Sequence, residues 1–339
     1  MSRLRLSLTH AWLTRGALAW VLRPISLCFE CLVACRQWLY RLGALRPQKL
    51  RVPVVVVGNV LVGGVGKTPV VIALVKHLQQ RGLRVGVLSR GYGRVSGDIR
   101  EVHTNSRADE VGDEPLLIAR ACGVPVWVGA NRVEAGQSLL EHDRKTQVLV
   151  CDDGLQHLAL ARDIELCVFD ERGIGNGWML PAGPLREPWP RAENSHIDRF
   201  ELSHGEAPVS GRFQVHKKLA DFAVRADGTR RSLPTGFAHP VQALAGIAKP
   251  QVFFNMLEEL GLTLSYTQAL PDHAALQGVS IDKSMGELLC TEKDAVKLWI
   301  DHPEAWAVPL ITNLPTDLLQ ALDGCLDRRL SSRHGLKIT

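Results

Sequence analysis

Several things are missing from these 339 residues. The eight cysteines, at 28, 31, 35, 122, 151, 167, 290 and 325, lack the compact spacing of a small secreted scaffold. Free thiols in a reducing compartment are the simpler expectation. Cys28, Cys31 and Cys35 have no fourth cysteine nearby and share an apolar helix face, which argues against a cluster or metal site. No small-residue cleavage site follows the first apolar stretch, which argues against a secretory signal. Charge-free runs in the first 45 residues, such as Gly16–Leu22 and Cys31–Cys35, fall far short of the ~20 apolar residues of a spanning helix. Acids are scarce at the start: residues 1–50 hold eight Lys and Arg against Glu30 alone, a charge of +7. The whole chain is +5, so the remainder is close to −2, and a folded body without excess basic charge excludes a nucleic-acid surface.

What is present belongs to an ordinary folded protein, with 46% hydrophobic and 22% charged residues and a length that implies two globular units. In the basic arm, residues 1–45, Arg23, Ser26, Glu30, Gln37 and Arg41 follow helical spacing as one narrow polar stripe. Ile25, Cys28, Phe29, Leu32, Cys35 and Leu39 cover the other side, interrupted by Arg36, and Trp12, Trp20, Trp38 and Tyr40 favour a membrane interface. Such a helix suits an anionic bilayer surface. A helix packed on the protein's own core and a tilted span satisfy amphipathicity too.

After Arg46, Pro47 and Lys49 the pattern changes to strand, loop and helix. Val52–Val57 is a β-branched run of buried-strand length. It enters Gly58-Asn59-Val60-Leu61-Val62-Gly63-Gly64-Val65-Gly66-Lys67-Thr68, and Pro69 with Val70, Val71, Leu74, Val75 and Leu78 opens a helix. This is a phosphate cradle of the P-loop kind. The backbone of Gly63, Gly64, Val65 and Gly66 and the helix N-terminus would face anionic oxygens. Lys67 would reach the β- and γ-phosphates of ATP, and the Thr68 hydroxyl would ligate Mg²⁺. Leu61 stands where the strict consensus has glycine.

Further alternation follows: strand Val85–Ser89, helix near Pro115–Cys122, strand Val126–Val128, helix near Asn131–His142 and strand Gln147–Cys151. The fold class is therefore α/β, a P-loop-type parallel sheet with helices on both faces, residues 46–210, and a smaller α/β domain, residues 211–339. Ligands collect at the carboxyl ends of such strands. Asp152 and Asp153 at one tip are candidates for holding Mg²⁺, since adjacent carboxylates repel without a cation; a plain Asp-Asp-Gly turn is the alternative.

These motifs, together with Ser89-Arg90-Gly91-Tyr92-Gly93-Arg94, Gly112-Asp113-Glu114-Pro115, Asp152–His157, Gly175-Asn176-Gly177, Leu180–Pro188, Pro271-Asp272-His273 and Thr291–Ala295, occur in the order seen in tetraacyldisaccharide 4'-kinases. The chain resembles that family from the N-terminal helix to about residue 297. The resemblance implies transfer of the ATP γ-phosphoryl to the 4'-hydroxyl of a tetraacylated glucosamine disaccharide 1-phosphate, giving lipid IVA at the cytoplasmic face of the inner membrane. It further implies two α/β/α sandwiches joined by a short β linker, here Arg212–Val215 and Phe222–Val224. The acceptor site would draw on Arg90, Arg94, Gln156, His157 and Arg186, and Asp113 would orient His273 as general base. Taken alone, Asp113 also reads as a helix cap and His273 as a loop imidazole.

Three rival functions use the same P-loop: an ATPase switch or loading factor at the membrane, a kinase of a soluble metabolite, and a nucleotide-dependent structural protein. A GTPase is disfavoured, because Asn/Thr-Lys-x-Asp is absent and Thr291-Glu292-Lys293-Asp294 carries its lysine one place late.

Overall fold

The computed structural model describes residues 10–334 apart from 193, 206–210, 238–239 and 277. Helix α1 (Ala17–Arg41) precedes β1 (Val54–Gly58), α2 (Lys67–Gln80), β2 (Val85–Ser89), β3 (Arg100–Glu101), α3 (Ala108–Val111), α4 (Asp113–Cys122), β4 (Val126–Val128), α5 (Arg132–His142) and β5 (Val148–Asp152). Then come β6 (Ile164–Phe169), β7 (Asp198–His204), β8 (Phe213–Leu219), β9 (Phe222–Val224), β10 (Arg230–Ser232), β11 (Val241–Ala245), α6 (Pro250–Glu259) and β12 (Leu264–Ala269). The last elements are β13 (Leu288–Thr291), α7 (Glu292–Leu298), β14 (Trp306–Val308), β15 (Leu310–Asn313) and α8 (Thr316–His334).

The larger sheet has nine strands in the order β15-β8-β7-β6-β1-β5-β2-β4-β3. β8, β7, β6, β1, β5, β2 and β4 are parallel, so the loops after β1, β5, β6, β7 and β8 leave one common edge. β1, β2, β5 and β6 are buried along their whole length, as their Val-rich sequences require when both faces are covered. The second sheet, β10-β9-β14-β13-β11-β12, has its own core around Phe253, Phe254, Leu257 and Trp306.

The two sheets do not divide at residue 210. β8 pairs with β7 and β15 in the large sheet, whereas β9 pairs with β10 and β14 in the small one. The two runs read as a linker therefore belong to different sheets, and the chain crosses at Ala220 and Asp221. It returns after β14. β15 closes the large sheet, and α8 lays Leu318, Leu322 and Leu326 into the first core. Asp323 of α8 meets His77 of α2 and Arg81, which caps that helix, at 2.9 and 3.0 Å. By hydrogen bonding and packing, the segment 310–334 belongs with the nucleotide core, not with the smaller unit.

Helix α1 turns its polar stripe inward. Ser26 is fully buried and donates to the Met179 carbonyl at 2.7 Å, Arg23 pairs with Glu30, and the Arg23 guanidinium lies 4.8 Å from the Trp178 ring centre. Trp20, Val21, Ile25, Leu32 and Trp38 are all exposed, so the apolar side is presented outward. With mean hydropathy 1.7 over its 18-residue window, the helix is long and apolar enough to cross a bilayer. Packing on the protein's own core, one of the placements the sequence allowed, holds for part of the helix: Phe29 and Val33 rest against the first core and Ala19 is fully buried, while the rest of the apolar side stays exposed.

Candidate active site

The phosphate loop leaves the carboxyl end of β1. Gly63 and Gly66 have φ of 98° and 78°, which only glycine adopts without strain, and they set the curl of the loop into α2. The Val65 side chain is buried in the core, leaving its backbone to the loop. Lys67 and Thr68 fall in the first turn of α2, where amide donors are unsatisfied within the helix. Lys67 Nζ donates to Asn59 Oδ1 at 3.0 Å and lies 3.3 Å from Asp153 Oδ1.

Asp152 ends β5 and is 4% exposed, and its Oδ1 has no hydrogen-bond partner. Burial, reinforced by the charge of Asp153, pushes its carboxyl up to about 7. Asp153, held at φ 50°, is different: burial opposes its charge, yet Lys67 and Arg186 keep it below the usual carboxylate range. A carboxyl raised by burial beside an ionised one, with an orphaned buried oxygen, is the arrangement that a bound cation would relieve. Two carboxylates and the Thr68 hydroxyl suit Mg²⁺, which keeps much of its own water and borrows phosphate oxygens. Among the described residues no three His, Cys, Asp or Glu side chains form a closed metal cage.

Arg186 and Gln156 join this cluster. Arg186 Nη1 lies 3.3 Å from Asp153 Oδ1 and 3.4 Å from Gln156 Oε1, while its backbone N–H donates to the Val60 carbonyl at 2.7 Å. Gln156 donates to the Asn59 carbonyl at 3.0 Å and to Glu187 at 2.7 Å. His157 Nε2 is buried without a partner, and burial, with Arg132 and Arg162 nearby, pushes the imidazole down to about 4. Arg90 is exposed on the loop after β2; Arg94 is half-buried there with Nη1 unpaired. Among the described residues no hydrogen bond joins Arg90, Arg94 or the His157 ring to the Lys67 cluster, so of the five residues expected at the acceptor site only Arg186 and Gln156 belong to it.

The second unit brings His273 to Asp113. His273 Nδ1 is 3.3 Å from Asp113 Oδ2, across 160 residues, in a loop where His273 has φ 62°. The hydrogen bond that His273 Nδ1–H donates to Asp113 raises the His273 pKa above its ordinary value, against burial. Burial would raise Asp113, but His273 and the charges of Lys297 and Lys293 bring it below the carboxylate range. Gly112 takes the helix-cap position of α4, so Asp113 acts in the first turn and not as the cap. The two clusters adjoin: a Cβ at Gly64 would lie 3.8 Å from Asp272 Oδ2, and the Glu114 charge reaches Asp152.

Sequence reasoning assigned no role to the lysines of α7. Lys297 donates to Asp113 at 2.9 Å, and Lys293 bridges Glu114 and Asp272, both at 2.8 Å. The signals were the place of Lys293 in the Thr291–Ala295 motif and the i, i+4 spacing of Lys293 and Lys297, which puts both on one helix face.

Residues 18–327 match the profile of the family described as Tetraacyldisaccharide-1-P 4'-kinase. The chain belongs to that family. It is 53% identical over 329 residues to the tetraacyldisaccharide 4'-kinase of Acidovorax ebreus (strain TPSY), covering 96% of each chain. It is 50% identical over 341 residues to that of Polaromonas naphthalenivorans (strain CJ2), covering 98% of this chain and 99% of the other. The fold superposes on the crystal structure of the "apo" form of LpxK from Aquifex aeolicus in complex with ATP, with TM-score 0.78 and 28% identity. That match spans 92% of this chain and 99% of the other. This tetraacyldisaccharide 4'-kinase family member is thus an ATP-binding kinase whose P-loop stands on a family fold.

Proposed function

We propose that the chain phosphorylates the 4'-hydroxyl of tetraacyldisaccharide 1-phosphate with ATP, forming lipid IVA, at an anionic membrane surface on the cytoplasmic side of the inner membrane. The observation that carries the reading is the meeting of Asp113–His273 with the Lys67–Asp153–Arg186 cluster at the edge of the parallel sheet.

In this reading the phosphate loop, Lys67 and Arg186 grip the nucleotide and neutralise its charge, which is most of what phosphoryl transfer asks of a protein. Mg²⁺, when bound by Thr68, Asp152 and Asp153, would supply further charge neutralisation at the phosphates. Asp113 holds the Nδ1 proton of His273, leaving Nε2 to accept the proton of the sugar hydroxyl. Nε2 presently lies 3.3 Å from Lys293 Nζ, so entry of the hydroxyl displaces that contact. Arg90, Arg94 and His157 are assigned to the acceptor side.

The inward polar stripe and outward apolar face of α1 support seating in the interface plane with the body of the protein above it. Incubation with labelled ATP and detergent-dispersed lipid A precursors tests the reading directly. Label must enter the lipid fraction; lipid-independent release of labelled phosphate alone would favour the ATPase switch.

A further inference from the structure

Two cationic or polar side chains beside the phosphate loop have no task in the site described so far. His204 ends β7, and the parallel neighbour β8 sets Val215 opposite it. Lys217, two residues beyond and on the same strand face as Val215, therefore lies past the carboxyl edge of β7. That is the edge from which the P-loop leaves β1, and it lies on the β6–β8 side, opposite to the β5 side where Lys67 meets Asp153. A Cβ on Gly66 would collide with Lys217 Nζ and would sit 3.5 Å from His204 Nε2. The ammonium and the imidazole thus converge on the glycine that precedes Lys67.

Both are left wanting a ligand. His204 is 9% exposed, and its ring nitrogens meet no side chain within hydrogen-bond geometry, only the backbone of Val215 and Gly66. Among the described residues Lys217 makes no ion pair; the nearest acid whose charge it feels, Asp170, is clasped by Arg172 at 2.9 Å. Burial pushes the Lys217 ammonium down to about 8 and, with Lys217 beside it, the His204 imidazole down to about 4. A cation held in poor solvation without a counter-charge is costly unless an anion arrives.

We propose that Lys217 and His204 form a second wall of the phosphate cradle, binding a non-bridging phosphate oxygen of the nucleotide from the side opposite Lys67. The proposal rests on the nucleotide-binding reading of the P-loop. Lys217 supplies the charge, and the neutral His204 supplies one N–H donor. Glycine at 66 is then required twice, for its backbone angle and for the room that the ammonium occupies.

The test is equilibrium binding of adenosine, AMP, ADP and ATP to wild type, Lys217→Met and Lys217→Arg, with Lys67→Ala alongside. Loss of a charge-assisted hydrogen bond weakens binding by roughly 10–100-fold. Lys217→Met should show that loss from one rung of the phosphate ladder onward, keep adenosine affinity, and leave the KM for lipid within twofold. Lys217→Arg should recover most of it. Because Lys217 is half-buried and makes no ion pair among the described residues, its removal should also leave Tm unchanged or raised. Equal losses on adenosine, no loss on any nucleotide, or a change confined to the lipid KM would each overturn the proposal. If Lys67→Ala bound ATP normally, the P-loop reading itself would fail, separately from Lys217. Should Lys217→Met not fold, Lys217→Gln carries the same ladder.

Discussion

Asp113→Asn keeps the shape of the side chain and removes the charge that His273 and Lys297 share. Two consequences follow from the geometry. Lys297, whose side chain is 12% exposed, keeps the Ala274 carbonyl at 2.9 Å but loses its carboxylate. His273 loses the largest influence holding its pKa up. A positioned base contributes ~10²–10⁴-fold, so kcat should fall at least ~10²-fold while ATP affinity stays nearly intact. The pH dependence carries the sharper sign. A raised pKa keeps the imidazole protonated to higher pH, and only the neutral form accepts a proton. Wild-type kcat/KM should therefore rise with pH through a midpoint above the ordinary histidine value of about 6.5. In Asp113→Asn that midpoint should move towards acid. The assay is label transfer to lipid across roughly pH 5–9, with His273→Ala and the double variant in parallel. An acid limb that stays in place, or a double variant whose loss equals the product of the singles, would refute the coupled pair.

Lys67→Ala should abolish transfer at saturating MgATP, checked by single-turnover assay, if Lys67, which pairs with Asp153, is the cation that grips the phosphates as proposed. Asp152→Asn should weaken the Mg²⁺ dependence and turnover together; an unchanged Mg²⁺ titration would reduce the Asp pair to a turn. Removal of residues 1–40 should release the protein from anionic vesicles and raise the KM for lipid far more than for ATP, with salt-insensitive sedimentation of the shortened protein as the contrary result. Glu165 is 1% exposed and pairs with Arg191 at 2.6 Å, Arg199 at 2.9 Å and Arg162 at 3.4 Å. Glu165→Ala should cost about 3–5 kcal/mol in urea unfolding, since Arg162 and Arg199 would lose their carboxylate and Arg191 would keep only Glu187 at 3.1 Å.

The nucleotide half was legible because its signals are local. The strand expected at Val126–Val128 and the strand expected at Val85–Ser89 form as read, and Asn131 caps α5 through its own side chain. β1 starts two residues later than the β-branched run suggested, at Val54, because Val52 precedes the first ladder pair. Asp153 at the tip of β5 meets Lys67 of the P-loop, as their places at the strand ends implied, whereas the meeting of Asp113 with His273 across 160 residues was expected from the family resemblance and from no local signal. What was not legible depends on distance along the chain. Nothing near Leu310 announces that it will pair with Leu219, and nothing in Lys297 announces Asp113, 184 residues away. The polar stripe of α1 was visible, but its inward direction depends on Met179 and Trp178, which no helical periodicity contains.

The crossing and return of the chain beside β8 make the smaller unit an insertion, with both of its ends at one place. The Ala220 N–H donates to the Pro309 carbonyl at 2.9 Å, and β8 and β15 run side by side from there into the large sheet. A body tethered by two adjacent, hydrogen-bonded strands cannot drift, and it can turn about that tether only by lifting α7, whose Val296 is packed in the first core, off the nucleotide unit. Its approach to the phosphate loop has something close to a single degree of freedom, like a door on one hinge. Every residue it carries to the cleft, His273, Lys293 and Lys297 among them, would then arrive and depart together.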